Sequence, residues 1–170
     1  MCVRKVVIYM KNKSIIIVCV AIVAILAALG VIFLVNNNSK SSLDSLSLNK
    51  VMDKVYDGID KNDLPELEKV EVNSDNVQYF LGTSDISFKE ALACEPMISS
   101  IAHSVVLVRA NDGENVEQLK EKIKSNVNPR KWICVEVAEE NVRVESKGNL
   151  ILLVMVDDYA DKMVENFKKI

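Results

Sequence analysis

With 170 residues, 49% of them hydrophobic and 26% charged, the chain lies outside the composition of disordered or low-complexity proteins. Its 21 basic and 24 acidic side chains leave a net charge of −3, which argues against nucleic acid or an anionic lipid surface as partner. One histidine and four cysteines leave little from which to build a metal centre.

Residues 1–13 form a short basic tail: Arg4, Lys5, Lys11 and Lys13 lie in it and no acidic residue does. Ser14–Val35, SIIIVCVAIVAILAALGVIFLV, is uncharged throughout. As a helix it would measure about 33 Å, enough to cross a hydrocarbon core. Its length exceeds the apolar region of a cleaved signal peptide, Ala27-Ala28-Leu29-Gly30 lies inside it, and Val18 before Cys19 does not suit a lipoprotein signal. The segment reads as an uncleaved signal anchor in the plasma membrane. By the positive-inside rule the N-terminus is cytosolic and the chain beyond the span is extracytoplasmic. Residues 36–42, NNNSKSS, are a polar linker, and 43–170 are expected to form one exported domain. Without the four tail cations the remainder is acidic, 17 basic against 24 acidic side chains, which serves solubility.

The domain begins with an expected helix, Leu43–Asp57, with Leu48, Val51, Met52 and Val55 at helical spacing, Ser41 or Ser42 as cap and Gly58 as stop. Lys61–Val72 reads as irregular, and Ser74–Leu81 as a two-turn helix closed by Gly82. The period then changes to two. Ile86–Cys94 predicts a half-buried strand broken by Glu95-Pro96-Met97, and Ile101–Arg109 a strand apolar on both faces. Asn115–Val127 is an amphipathic helix whose Asn115 and Gln118 resemble a capping box, stopped by Asn128-Pro129. Trp132–Val137 is a further strand candidate. Val142–Ser146 and Leu150–Val156 predict a hairpin turning at Lys147-Gly148-Asn149, with LILLVMV an interior strand. Asp157, Asp158 and Asp161 then open a last helix that Lys168 and Lys169 close, each complementing its dipole. This order predicts an α+β fold: a transmembrane helix followed by a mixed, mostly antiparallel sheet of four to five strands packed with helices.

Three blocks of sequence carry a resemblance. They are Tyr79-Phe80-Leu81-Gly82, then Lys89-Glu90-Ala91-Leu92-Ala93 with Glu95 through Val106 (EPMISSIAHSVV), and Asn128 through Val135 (NPRKWICV). Together with Gly148-Asn149-Leu150, they make the chain similar to the bacterial domain-of-unknown-function family 4358 over roughly Leu46 to Val156. The resemblance implies a membrane-anchored exported domain and transfers no catalytic residue.

Candidate chemistry is sparse. His103 lies near Cys94, Ser99, Ser100 and Ser104 in sequence, and Cys94 or a serine with His103 would make a nucleophile–base pair if the fold brought them together. On a strand, however, His103 shares a face with Val105 and Leu107 while Ser104 points the other way. A structural histidine is therefore the expectation. Glu90 and Glu95, a possible carboxylate pair, fall on opposite faces of a strand. Cys94 and Cys134 can form a disulfide or stand as small hydrophobes. Trp132, beside Arg130 and Lys131, is either a core residue or an interface anchor. No metal site, cofactor or nucleotide loop is expected. The expected binding turn is Glu95, Pro96, Met97, Ser99 and Ser100, because binding residues concentrate on loops carried by strands. The resulting expectation is a non-catalytic, single-pass envelope domain that binds an envelope protein or polymer. The alternative is an envelope hydrolase or acyltransferase using Cys94 or a serine with His103.

Overall fold

The computed structural model describes residues 43 and 45–170. The basic tail, the expected span at 14–35, the linker at 36–42 and Cys2 and Cys19 lie outside these residues. Among the described residues no helix is long and apolar enough to cross a membrane.

The domain is α+β, a five-stranded antiparallel sheet covered by helices on both faces. Strands β1 (Leu67–Glu71), β2 (Glu90–Pro96), β3 (His103–Arg109), β4 (Val142–Lys147) and β5 (Leu150–Val156) lie in the order β1-β2-β3-β5-β4. Every described pairing is antiparallel, so the expected mixed sheet is corrected to a purely antiparallel one. Residues 97–102 join β2 to β3 and Gly148-Asn149 joins β4 to β5, short connections that antiparallel neighbours allow, whereas residues 110–141 carry the chain from β3 past the position of β5 to the edge strand β4.

One face packs against helix α1 (Leu48–Val55) and helix α4 (Ala160–Lys169). Val51, Met52, Val55, Met163 and Phe167 there meet Leu92, Cys94, Val105, Leu107, Leu152 and Val154. The opposite face packs against the short helix α2 (Val77–Leu81) and helix α3 (Val116–Asn126). Phe80, Leu81, Leu119 and Ile123, together with Trp132, cover Ala91, Ala93, Val106, Val108, Ile151 and Leu153. Because β3 and β5 are covered on both sides, all seven residues of each are buried. Such strands read as continuous apolar runs rather than alternating ones.

Several boundaries move from expectation. α1 starts at Leu48 with Ser47 as its cap, the Ser47 hydroxyl accepting from Lys50 N–H. The segment expected to be irregular holds β1, whose charged sequence LEKVE suits an exposed edge strand. β2 starts at Glu90 and runs through Pro96 instead of breaking before it. Pro96 is tolerated as the terminal residue, opposite Leu67. Trp132–Val137 is not a strand. It crosses the sheet's second face as an irregular segment in which Cys134 has φ of 62°. Asp157 does not serve α4. Its carboxylate accepts from Ala138 N–H at 3.0 Å and Asn141 Nδ2 at 2.9 Å, tying the approach to β4 onto the end of β5.

The hairpin forms as expected, with Lys147 opposite Leu150. Gly148, at the first position of its two-residue turn, has φ of 61°, as a type II′ turn requires. Gly82 closes α2 in the left-handed region at φ 75°. A Cβ there would stand 1.9 Å from Asn126 O, so the position is closed to any side chain.

Candidate functional site

Two polar clusters flank β2 and β3, one on each face of the sheet. On the α1 face, Tyr56, the residue after α1, stacks its ring on His103 with centroids 5.9 Å apart. Tyr56 Oη and His103 Nε2 share a hydrogen bond of 2.7 Å. Burial lowers the His103 pKa to about 4, so the imidazole is neutral and can accept the phenolic proton. Burial foremost, then Cys94 and Glu95, push the Tyr56 pKa well above its ordinary range. Cys94, on the same face of β2, is raised chiefly by burial, and a hydrogen bond with Tyr56 and the charge of Lys69 only partly offset this. The structure thus brings Cys94 and His103 together through Tyr56, as a chain of thiol, phenol and imidazole in which every member is neutral. Cys94 forms part of the wall of a cleft of about 720 Å³, with Tyr56, Ile59, Leu64 and Leu67 as apolar lining and Asp53 and Lys69 among its charged residues.

On the opposite face, the ammonium of Lys131 forms an ion pair with Glu95 and donates to Ser104 Oγ at 3.1 Å. It also lies over the rings of Tyr79, Phe80 and Trp132, 4.3, 5.0 and 5.2 Å from their centroids. Both charged side chains are deeply buried, Lys131 4% and Glu95 9% exposed. Burial lowers the lysine pKa against the pull of Glu95. Tyr79 donates its hydroxyl to Glu95 Oε2 at 3.2 Å, and burial and the carboxylate push its pKa up to about 12. Glu95 is therefore not part of a turn, as expected, but a buried strand residue whose carboxylate is held by a lysine and a tyrosine. Glu90 emerges on the other face and pairs with Arg109 Nε at 2.6 Å, which separates the two carboxylates as their spacing predicts.

The rest of the expected binding turn is exposed. Met97 is 64% and Ile98 60% accessible, and Ser99 and Ser100 are exposed beside them. Ile133, from the irregular segment, is also 64% accessible, and its N–H donates to Ser99 O at 2.9 Å. This bond fastens the two loops together and brings the segments that carry these three exposed apolar side chains next to each other at the end of the sheet. Beneath it a groove of about 330 Å³ is lined by Glu68, Val70, Tyr79, Met97, Ser99 and Trp132, among others. Trp132 is buried as a core residue, but its Nε1–H has no hydrogen-bonding partner. Cys94 and Cys134 are free thiols, the first buried and the second exposed.

Ser104 does not join His103, since it points to the opposite face and bonds Lys131. Sequence reasoning missed Tyr56 and Lys131 as members of these clusters. The adjacency of Lys131 to Trp132 was the only local signal, whereas Tyr56 lies 47 positions from His103 and carries none. Among the described residues no group of three or more His, Cys, Asp or Glu could hold a metal ion. No family model, curated protein or solved structure matches the chain.

Proposed function

We propose that the chain is a membrane-tethered, non-catalytic binding domain on the outer side of the plasma membrane, serving an envelope protein or polymer. The observation that carries this reading is the apolar patch of Met97, Ile98 and Ile133. Three large side chains at 60% exposure or more, on two loops joined by a backbone hydrogen bond, form a rigid surface that is costly to leave in water. The uncharged run at 14–35 after a basic tail supports the tether and its orientation. The described chain enters at Leu43, whose carbonyl accepts from Arg109 Nη1 at the far end of β3. The patch lies at the other end of that strand, about 20 Å away. Membership of family 4358 is part of the proposal and rests on the sequence blocks quoted above.

Photo-crosslinking in living cells tests the patch. A crosslinker at position 98 or 133 should give discrete adducts absent from a control at exposed Lys124. No adduct, or equal adducts from 124, would refute the reading. The hydrolase or acyltransferase alternative is favoured by the Cys94–Tyr56–His103 chain. Its neutral, desolvated thiol and weakly basic imidazole oppose the thiolate that such chemistry needs. A Cys94→Ala protein that keeps its melting temperature but loses cellular complementation would promote the enzyme.

A further inference from the structure

β1 is an edge strand, paired among the described residues only with β2. The bond from Val72 N–H to Ala91 O, at 3.0 Å, fixes which way its backbone points. In an antiparallel ladder alternate residues exchange hydrogen bonds, so Glu68, Val70 and Val72 turn their N–H and C=O toward β2. Leu67, Lys69 and Glu71 turn theirs outward. Asn76 Nδ2 takes the outward carbonyl of Glu71 at 3.0 Å. The N–H and C=O groups of Leu67 and Lys69 face the open edge.

The side chains of the same strand alternate between the cleft and the groove. Leu67 and Lys69 line the cleft of about 720 Å³ on the α1 face. Glu68 and Val70 line the groove of about 330 Å³ on the other, whose wall also holds Tyr79, Trp132 and the exposed Met97. An open edge with one recess on each face is the geometry of strand addition, in which backbone bonds hold an extended peptide and its alternate side chains enter opposite pockets.

We infer that β1 is the docking edge for an extended segment of a second protein, added to the sheet as a sixth strand. This rests on the binding-domain reading and names the partner as protein rather than glycan. The groups open at this edge are backbone N–H and C=O at strand spacing, which another polypeptide backbone matches and a saccharide does not. The segment carries apolar side chains at alternate positions. One set meets Ile59, Leu64 and Leu67 on the cleft side, and the other meets Tyr79 and Met97 on the groove side.

The test selects short linear peptides from a random display library on the full chain in detergent. Selected peptides should show apolar residues with period two. They should bind the wild type and Lys69→Ala alike and bind Lys69→Pro about tenfold or more weakly, because proline deletes the outward N–H and leaves the β1–β2 ladder intact. Lys69→Pro is first checked by circular dichroism. Independently, peptide should slow amide exchange at Leu67 and Lys69 in the wild type, a readout that holds if the proline variant fails to fold. Failure to select any peptide, equal binding to a folded Lys69→Pro, unprotected edge amides, or β1 pairing with a second copy of this chain would each overturn the inference. Peptides that lose affinity for Ile98→Asp but not for Lys69→Pro would overturn it while sparing the binding-domain reading.

Discussion

Replacing Lys131 with Met isolates the energetics of the second cluster. Methionine keeps the aliphatic stem and its contact with the aromatic rings but removes the charge, leaving the Glu95 carboxylate buried with Tyr79 as its hydroxyl donor. Breaking a buried pair from one side costs about 3–5 kcal/mol. In a domain of this size that is a fall of roughly 10–15 °C in melting temperature. The double variant Glu95→Gln, Lys131→Met, which buries no charge, should recover most of it. Thermal and urea unfolding of the wild type, the single and the double variant, each as the full chain in detergent, measure the effect. A Lys131→Met loss below about 1 kcal/mol, or a double variant no better than the single, would refute a desolvated ion pair at this site.

Other outcomes rest on the same geometry. His103 has a depressed folded pKa, so the unfolded chain binds the extra proton. Its contribution is complete above the unfolded pKa of 6.5 and is lost as pH falls toward the folded value of about 4. The wild type should therefore lose about 2 kcal/mol more than His103→Gln between about pH 8 and about pH 5, and parallel stability curves would refute a buried neutral imidazole. Leu152→Asp, in the interior of β5, buries a charge with no partner and should abolish folding, a loss of several kcal/mol; a folded variant would contradict the strand order. A membrane-impermeant maleimide on intact cells should label exposed Cys134 and lose its signal in Cys134→Ser, whereas labelling only after lysis would overturn the proposed topology.

The legible parts of the fold were those in which burial is symmetric about an element. β3 and β5 are covered on both faces, so their apolar runs leave no ambiguity, and α3 and α4 show one stripe each because each meets one face of the sheet. β1 was illegible for the converse reason. It is an edge strand of five residues with three charges, and its strand character comes from the ladder with β2 rather than from any periodicity of its own. Trp132–Val137 deceived in the other direction. Trp132, Val135 and Val137 belong to the core on that face of the sheet while Ile133 is exposed, so the apolar residues that suggest a strand serve an irregular covering segment.

The candidate site shows how far a face rule carries. Alternation along β2 and β3 already separates His103 from Ser104 and Glu90 from Glu95, and the structure keeps both separations. It says nothing about what arrives from elsewhere in the chain. Glu95 lies two residues before the exposed Met97, yet Lys131 reaches it across 36 positions and turns an expected binding carboxylate into an internal counterion. His103 likewise acquires Tyr56. His103 and Glu95 are thus both spent on internal partners. Among the described residues the surface offers instead the exposed apolar side chains of Met97, Ile98 and Ile133 and the backbone of an edge strand, which are means by which a surface holds another chain.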